Sequence, residues 1–141
     1  MGEDALADEL RQAIGQLVRA VRSADTMPPG EAAVLGYLDR DGPQTTADLA
    51  YRRRVSHQSA AKTVQTLLGT GLVRTGPHPR DGRKLLVSIT DAGRLRLRQE
   101  RARRSGSLDG AIRDALDATE RRQLRACVPL LDRLTATISA R

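Results

Sequence analysis

The chain is 141 residues long, 39% apolar and 29% charged, which suits one globular domain over 1–141 with a modest core. Lys+Arg 24 against Asp+Glu 17 gives a net charge of +7, and because lysine stands only at Lys62 and Lys84 the excess is arginine, so the expected partner is a polyanion. Phe and Trp are absent and Tyr37 and Tyr51 are the only aromatics, which argues against a stacking platform for single strands and for duplex DNA. The lone Cys127 excludes an internal disulfide, and with His57 and His78 it makes no zinc-ligand cluster, so neither metal nor cofactor is expected.

The N-terminus carries acids where a secretory signal would be basic and then apolar, and no run approaches about 18 apolar residues; a cytoplasmic protein without membrane contact is expected. Leu6, Leu10, Ile14, Leu17 and Val21 recur at steps of three and four, which predicts a helix over 4–24. Pro28 and Pro29 open a second helix whose Ala33, Val34, Leu35 and Leu38 run until Asp41-Gly42-Pro43. Thr45 with Asp48 resembles a capping box, starting a short helix that ends near Arg52. After Arg52-Arg53-Arg54, Ser56 can cap a fourth helix over 56–69, with Ala60, Val64 and Leu67 inward.

Leu72-Val73 and Leu85–Ile89 predict short strands joined by the basic, turn-rich segment from Gly76 to Arg83. Thr90 can cap a fifth helix with thin apolar support, weakened at Gly106 and Gly110. Asp117 with Glu120 starts the last helix, on which Leu124, Val128, Leu131, Leu134, Thr135 and Ile138 share a face and Pro129 should make a kink.

Two short helices followed by a hairpin with a charged tip predict a winged helix-turn-helix over 28–93, in a mainly α fold. With Ala60, Val64 and Leu67 inward, steps of about 100° put Gln58, Lys62 and Gln65 outward, flanked by Ser59. A glutamine amide can make two matched bonds to adenine in the major groove, and lysine can meet guanine or phosphate. Ser56 and the free N–H groups of that helix start, with Arg52, Arg53 and Arg54, are placed for backbone phosphates, and His57 beside the cap reads either as a phosphate contact or as an exposed residue of the recognition helix. Arg80, Arg83 and Lys84 sit on a loop narrow enough for the minor groove. The arginines from Arg94 to Arg104 read as a solvated face, His78 as an exposed loop residue, and both tyrosines as core.

From Val34 to Gly93 the chain resembles the MarR-type transcription regulators, almost without gaps. The resemblance rests on VLGYL, GPQTTADLA, VSHQSAAKTVQTLLGTGLV and the wing segment DGRKLLVSITDAG, the last being the most specific. Ile89 stands for the family's usual leucine, Thr75 for an arginine common after GLV, and Pro28 where threonine often caps the second helix. The resemblance implies that Arg83 is the wing's minor-groove arginine, that Asp81 orders the wing, and that Ser56 through Gln65 form the recognition helix. It also implies a homodimer built on 4–24 and 94–139, and a small, often aromatic effector bound between the DNA-binding and dimer regions. The residues agree on the dimer: the apolar faces bearing Leu6, Leu10, Ile14 and Leu17, and Val128, Leu131, Leu134 and Ile138, exceed what a small wing domain can cover.

The expected function is that of a ligand-responsive repressor, a dimer on an inverted repeat. Two alternatives remain: a winged-helix module that binds an acidic protein, or a peroxide sensor using Cys127, a thiol expected on or near an apolar helix face and therefore inert. No histidine lies near Cys127 in sequence, and no enzyme is expected.

Overall fold

The computed structural model describes residues 3–141. In chain order the elements are α1 (Glu3–Arg22), α2 (Pro29–Asp41), α3 (Thr46–Arg53), α4 (His57–Gly69), β1 (Val73–Pro77), β2 (Leu85–Ile89), α5 (Asp91–Ala115) and α6 (Ala118–Ser139). They form a winged helix-turn-helix, mostly helical with one antiparallel hairpin.

Side-chain caps set most helix starts. Thr45 accepts a bond from the Asp48 N–H while the Asp48 carboxylate accepts from the Thr45 N–H, both at 3.1 Å, which satisfies two otherwise orphaned donors at the start of α3. Asp117 and Glu120 repeat this device on α6. Ser56 accepts from the Ser59 N–H at 3.0 Å to start α4. Thr90 accepts from the Gly93 N–H at 3.1 Å and donates to the Gly71 carbonyl at 2.7 Å, so it caps α5 and ties it to the turn after α4. Gly93 itself has no room for a side chain: a Cβ there would strike the Leu72 carbonyl oxygen, which explains the glycine of the D-A-G segment.

Met27, Val34, Leu35, Leu38, Leu49, Val64, Leu67, Val73, Val87, Ile89 and Leu97 pack into one core. Each fully buried aliphatic side chain there contributes about 1.5–3 kcal/mol of transfer free energy, offset by chain entropy. Tyr37 packs against this core, but Tyr51 is 87% exposed. Leu49 and Ala50 take the inward positions of α3, and the next 100° step carries Tyr51 outside; the expectation of core placement fails for that reason.

The hairpin pairs Val73 with Ile89 through to Pro77 with Leu85, so β1 extends four residues past Leu72-Val73, its last two, Gly76 and Pro77, lying in the segment read as loop. Gln44 adds a bridge on the other edge of β2: its N–H donates to the Val87 carbonyl at 3.1 Å and its carbonyl accepts from the Val87 N–H at 2.8 Å. α5 runs unbroken through Gly106 and Gly110, and α6 continues through Pro129.

The expectation of a solvated arginine face on α5 is corrected for Arg96 and Arg104, which are half-buried and paired, whereas Arg94 and Arg101 stay exposed while facing a carboxylate. Arg94 and Arg101 reach Asp39 of α2 at 3.7 and 3.6 Å, Arg104 holds Asp25 with two bonds of 2.7 and 2.8 Å, and Arg96 bonds Glu100 at 2.8 Å. Glu100 is 1% exposed and also accepts from the Thr26 N–H and hydroxyl at 2.7 and 2.9 Å. α5 brings Leu97 to the core and adds charged pairs to α2 and to the loop before α2.

The chain forms two compact units, Met1–Arg104 and Ser105–Arg141. Within the second, α6 has no buried residue, and Leu124, Val128, Leu130, Leu134 and Ile138 are all exposed. On α1, Leu6, Ile14, Leu17 and Val18 are exposed as well, while Leu10 is half-buried. No helix among the described residues is long and apolar enough to cross a membrane.

Candidate nucleic-acid interface

α4 presents its two faces as the spacing predicts. Ala60, Val64 and Leu67 are buried, while His57, Gln58, Ser59, Lys62 and Gln65 are exposed. Ser56 is exposed too, with its hydroxyl oxygen engaged in the cap. Gln58, Lys62 and Gln65 therefore form an outward row whose amides and ammonium carry the donors and acceptors needed to read base edges.

The wing is ordered by its own side chains. Asp81 Oδ1 accepts from the Arg83 N–H at 3.1 Å and from Arg83 Nε at 3.3 Å, and the Lys84 N–H donates to the Asp81 carbonyl at 3.0 Å. Arg83 nevertheless keeps a side chain 93% exposed. His78, read as a plain exposed loop residue, is half-buried, and its Nδ1 accepts from the Arg80 and Asp81 N–H groups at 3.0 and 3.3 Å. Its own N–H closes the loop on the Lys84 carbonyl at 3.0 Å. Only the fold shows that an imidazole caps this turn; a histidine before proline gives no such signal. Arg80 and Lys84 are exposed beside it.

The wing root and the start of α4 share one cleft of about 330 Å³, lined by Thr45, Thr46, Ala47, His57, Arg83, Lys84 and Leu85. Arg83 and His57, the first residue of α4, thus border the same open cleft.

The three arginines before Ser56 separate in the structure. Arg54 is exposed and takes the left-handed conformation, φ 56°, that ends α3. Arg53 is half-buried, donates to Thr63 Oγ1 at 3.3 Å and lies against Gly30. Arg52 donates to Asp41 and, at 3.1 Å, to Gln44 Oε1, with its guanidinium 4.3 Å from the centre of the Tyr37 ring. The Arg52 hydrogen bond, helped by Arg40, holds the Asp41 carboxyl below the usual carboxylate range. Reading these arginines as one run of phosphate contacts misses that Arg52 is committed inside the domain. Gln44, the buried amide at its other end, carried no signal in the sequence.

The MarR family model matches residues 25–84. An uncharacterized HTH-type transcriptional regulator of Mycobacterium bovis is 31% identical over 129 residues, spanning 89% of the chain and 90% of that protein. The chain belongs to the MarR family. It is a MarR-family transcriptional regulator with a DNA-binding helix-turn-helix, and the relatives it matches are named as regulators, not enzymes.

Solved structures agree on the fold of this MarR-family chain. A Pseudomonas aeruginosa protein described as a transcriptional regulator superposes with a TM-score of 0.82 at 33% identity, covering 96% of the chain and 97% of its own. Apo MarR of E. coli superposes at 0.66 with 20% identity, over 93% and 97%, and transcriptional regulator Tm0710 of Thermotoga maritima at 0.78 with 18%, over 97% and 99%.

Proposed function

We propose that this MarR-family regulator is a ligand-responsive repressor that binds an inverted-repeat operator in the cytoplasm as a homodimer. The observation that carries the reading is the cleft that His57, at the start of α4, shares with the exposed Arg83 held by Asp81, on a helix whose Gln58, Lys62 and Gln65 are exposed. Gln58 and Gln65 read base edges there, with Lys62 and Ser59 beside them; Ser56, His57, Arg53 and Arg54 meet phosphates; Arg80, Arg83 and Lys84 enter the minor groove. Exposed apolar faces on α1 and α6, including Leu6, Leu17, Val128, Leu134 and Ile138, support a second copy as partner.

For the effector, a cavity of about 140 Å³ lies among Arg22, Pro29, Ala32, Ala33, Leu97, Glu100, Arg101 and Arg104. It is smaller than the roughly 300 Å³ at which ligand pockets usually begin, so only a small molecule enters without movement. The surrounding arginines favour an anion; both Glu100 oxygens are already occupied. Such a ligand shifts DNA affinity only by binding two conformations unequally.

The test is a gel shift on the promoter of the chain's own or a neighbouring gene, with unrelated duplex as competitor. Selective retention supports the reading, while equal competition favours a nonspecific binder or a module for an acidic protein. Arg83→Ala should weaken operator binding and lower the slope of log affinity against log salt by about one, since one fewer counterion is released. An unchanged slope in the folded variant removes the wing from the mechanism.

A further inference from the structure

We propose that Gln44 and Arg52 are positioning residues that set the wing against the recognition helix. This rests on the DNA reading above and adds to it a pair of side chains that touch no nucleic acid. Gln44 sits where three parts of the reading domain meet. Its main chain exchanges both hydrogen bonds with Val87, four residues beyond Arg83 on the wing strand. The next residue, Thr45, caps α3. Its side-chain amide donates to the Tyr37 carbonyl at 3.1 Å and the Gly42 carbonyl at 3.2 Å, at the end of α2, and accepts from Arg52 of α3 at 3.1 Å.

Main-chain bonds alone would accept any residue but proline at this position. The side chain makes the junction specific, because a buried primary amide satisfies two carbonyls and a guanidinium at once, and each would lose a partner without it. Arg52 completes the clamp by spanning Gln44 and Asp41 with two nitrogens while stacking on Tyr37. A planar fork is needed for that; lysine keeps the charge but cannot hold both acceptors and the ring. Shorter or softer side chains would free β2 to pivot on α3, and the cleft bordered by His57 and Arg83 would lose its fixed width.

The experiment uses the full chain and a duplex selected by the unmodified protein from a random pool. Gln44→Ala and Arg52→Lys are measured alone and with Arg83→Ala, by operator affinity, by hydroxyl-radical footprint for the minor groove and by methylation protection of guanine N7 for the major groove, well below the unfolding temperature of each variant. Both single variants should bind about tenfold more weakly and lose minor-groove protection while keeping that of the major groove. Neither should weaken Arg83→Ala further, because the wing contact they position is already gone.

Arg52→Lys also separates positioning from direct phosphate contact, which lysine would preserve, and it keeps the proposal testable should Gln44→Ala fail to fold. Unchanged affinity and footprint in folded Arg52→Lys, or an equal further loss on top of Arg83→Ala, would overturn the proposal. If the unmodified chain selects no duplex at all, the DNA reading itself falls and takes this one with it. That outcome is distinct from selective binding that the variants leave intact.

Discussion

Arg54 is the one non-glycine residue with positive φ among the described residues, and it marks the point where α3 must end for α4 to begin. A left-handed residue with a Cβ costs about 1–2 kcal/mol, offset here by its N–H, which caps α3 on the Ala50 and Tyr51 carbonyls. Two residues later Ser56 starts α4, so local backbone chemistry aims Gln58 outward. If Gln58 makes a bidentate contact to one base, Gln58→Ala should lose about 1–3 kcal/mol of preference at that single position of the operator. Selection from a random pool reads this directly, and an unaltered profile removes Gln58 from the base-reading set.

At the scale of elements, polar contacts add to the core contacts that the hairpin makes through Val73, Val87 and Ile89 and α5 through Leu97. In the hairpin His78 and Asp81 gather the loop's N–H groups. On α5 Glu100 gathers three donors. Burial alone would push the Glu100 carboxyl up, but bonds from Arg96 and from the Thr26 hydroxyl and N–H outweigh it and hold it at about 2 against an ordinary 4.5. Because the folded value lies below the unfolded one, the stabilisation is complete above about pH 4.5 and is lost as pH falls toward 2. Its full size is about 2–4 kcal/mol, from roughly 1.4 kcal/mol per pH unit. Thermal melts of the chain and of Glu100→Gln between pH 6 and about pH 2.5 should converge at the acid end; parallel curves would show that the carboxylate adds nothing.

For the whole molecule, a 22-residue α6 with no buried residue is unstable by the ordinary logic of amphipathic helices unless something covers it. A second copy is the proposed cover. Leu134→Asp should convert a dimer to a monomer in solution scattering and weaken operator binding about 10²-fold or more, because the two half-sites are then bound independently. A variant that remains dimeric would move the interface away from this face.

Most of the architecture was legible in the chain itself, since periodicity and capping are local: Thr45 with Asp48, Asp117 with Glu120, and the inward triplet Ala60, Val64 and Leu67 need only their near neighbours to be read. Their complement, the outward row Gln58, Lys62 and Gln65, follows from the same helical angle. Distance along the chain hid the rest. Glu100 meets Thr26 across 74 positions and Arg104 meets Asp25 across 79. Neighbouring arginines look alike until folding commits Arg52 to Gln44 and Asp41 and leaves Arg54 in solvent. Local angles decide which way a side chain points, but only packing brings its partner near enough to fix whether a charge is spent inside the protein or offered to DNA.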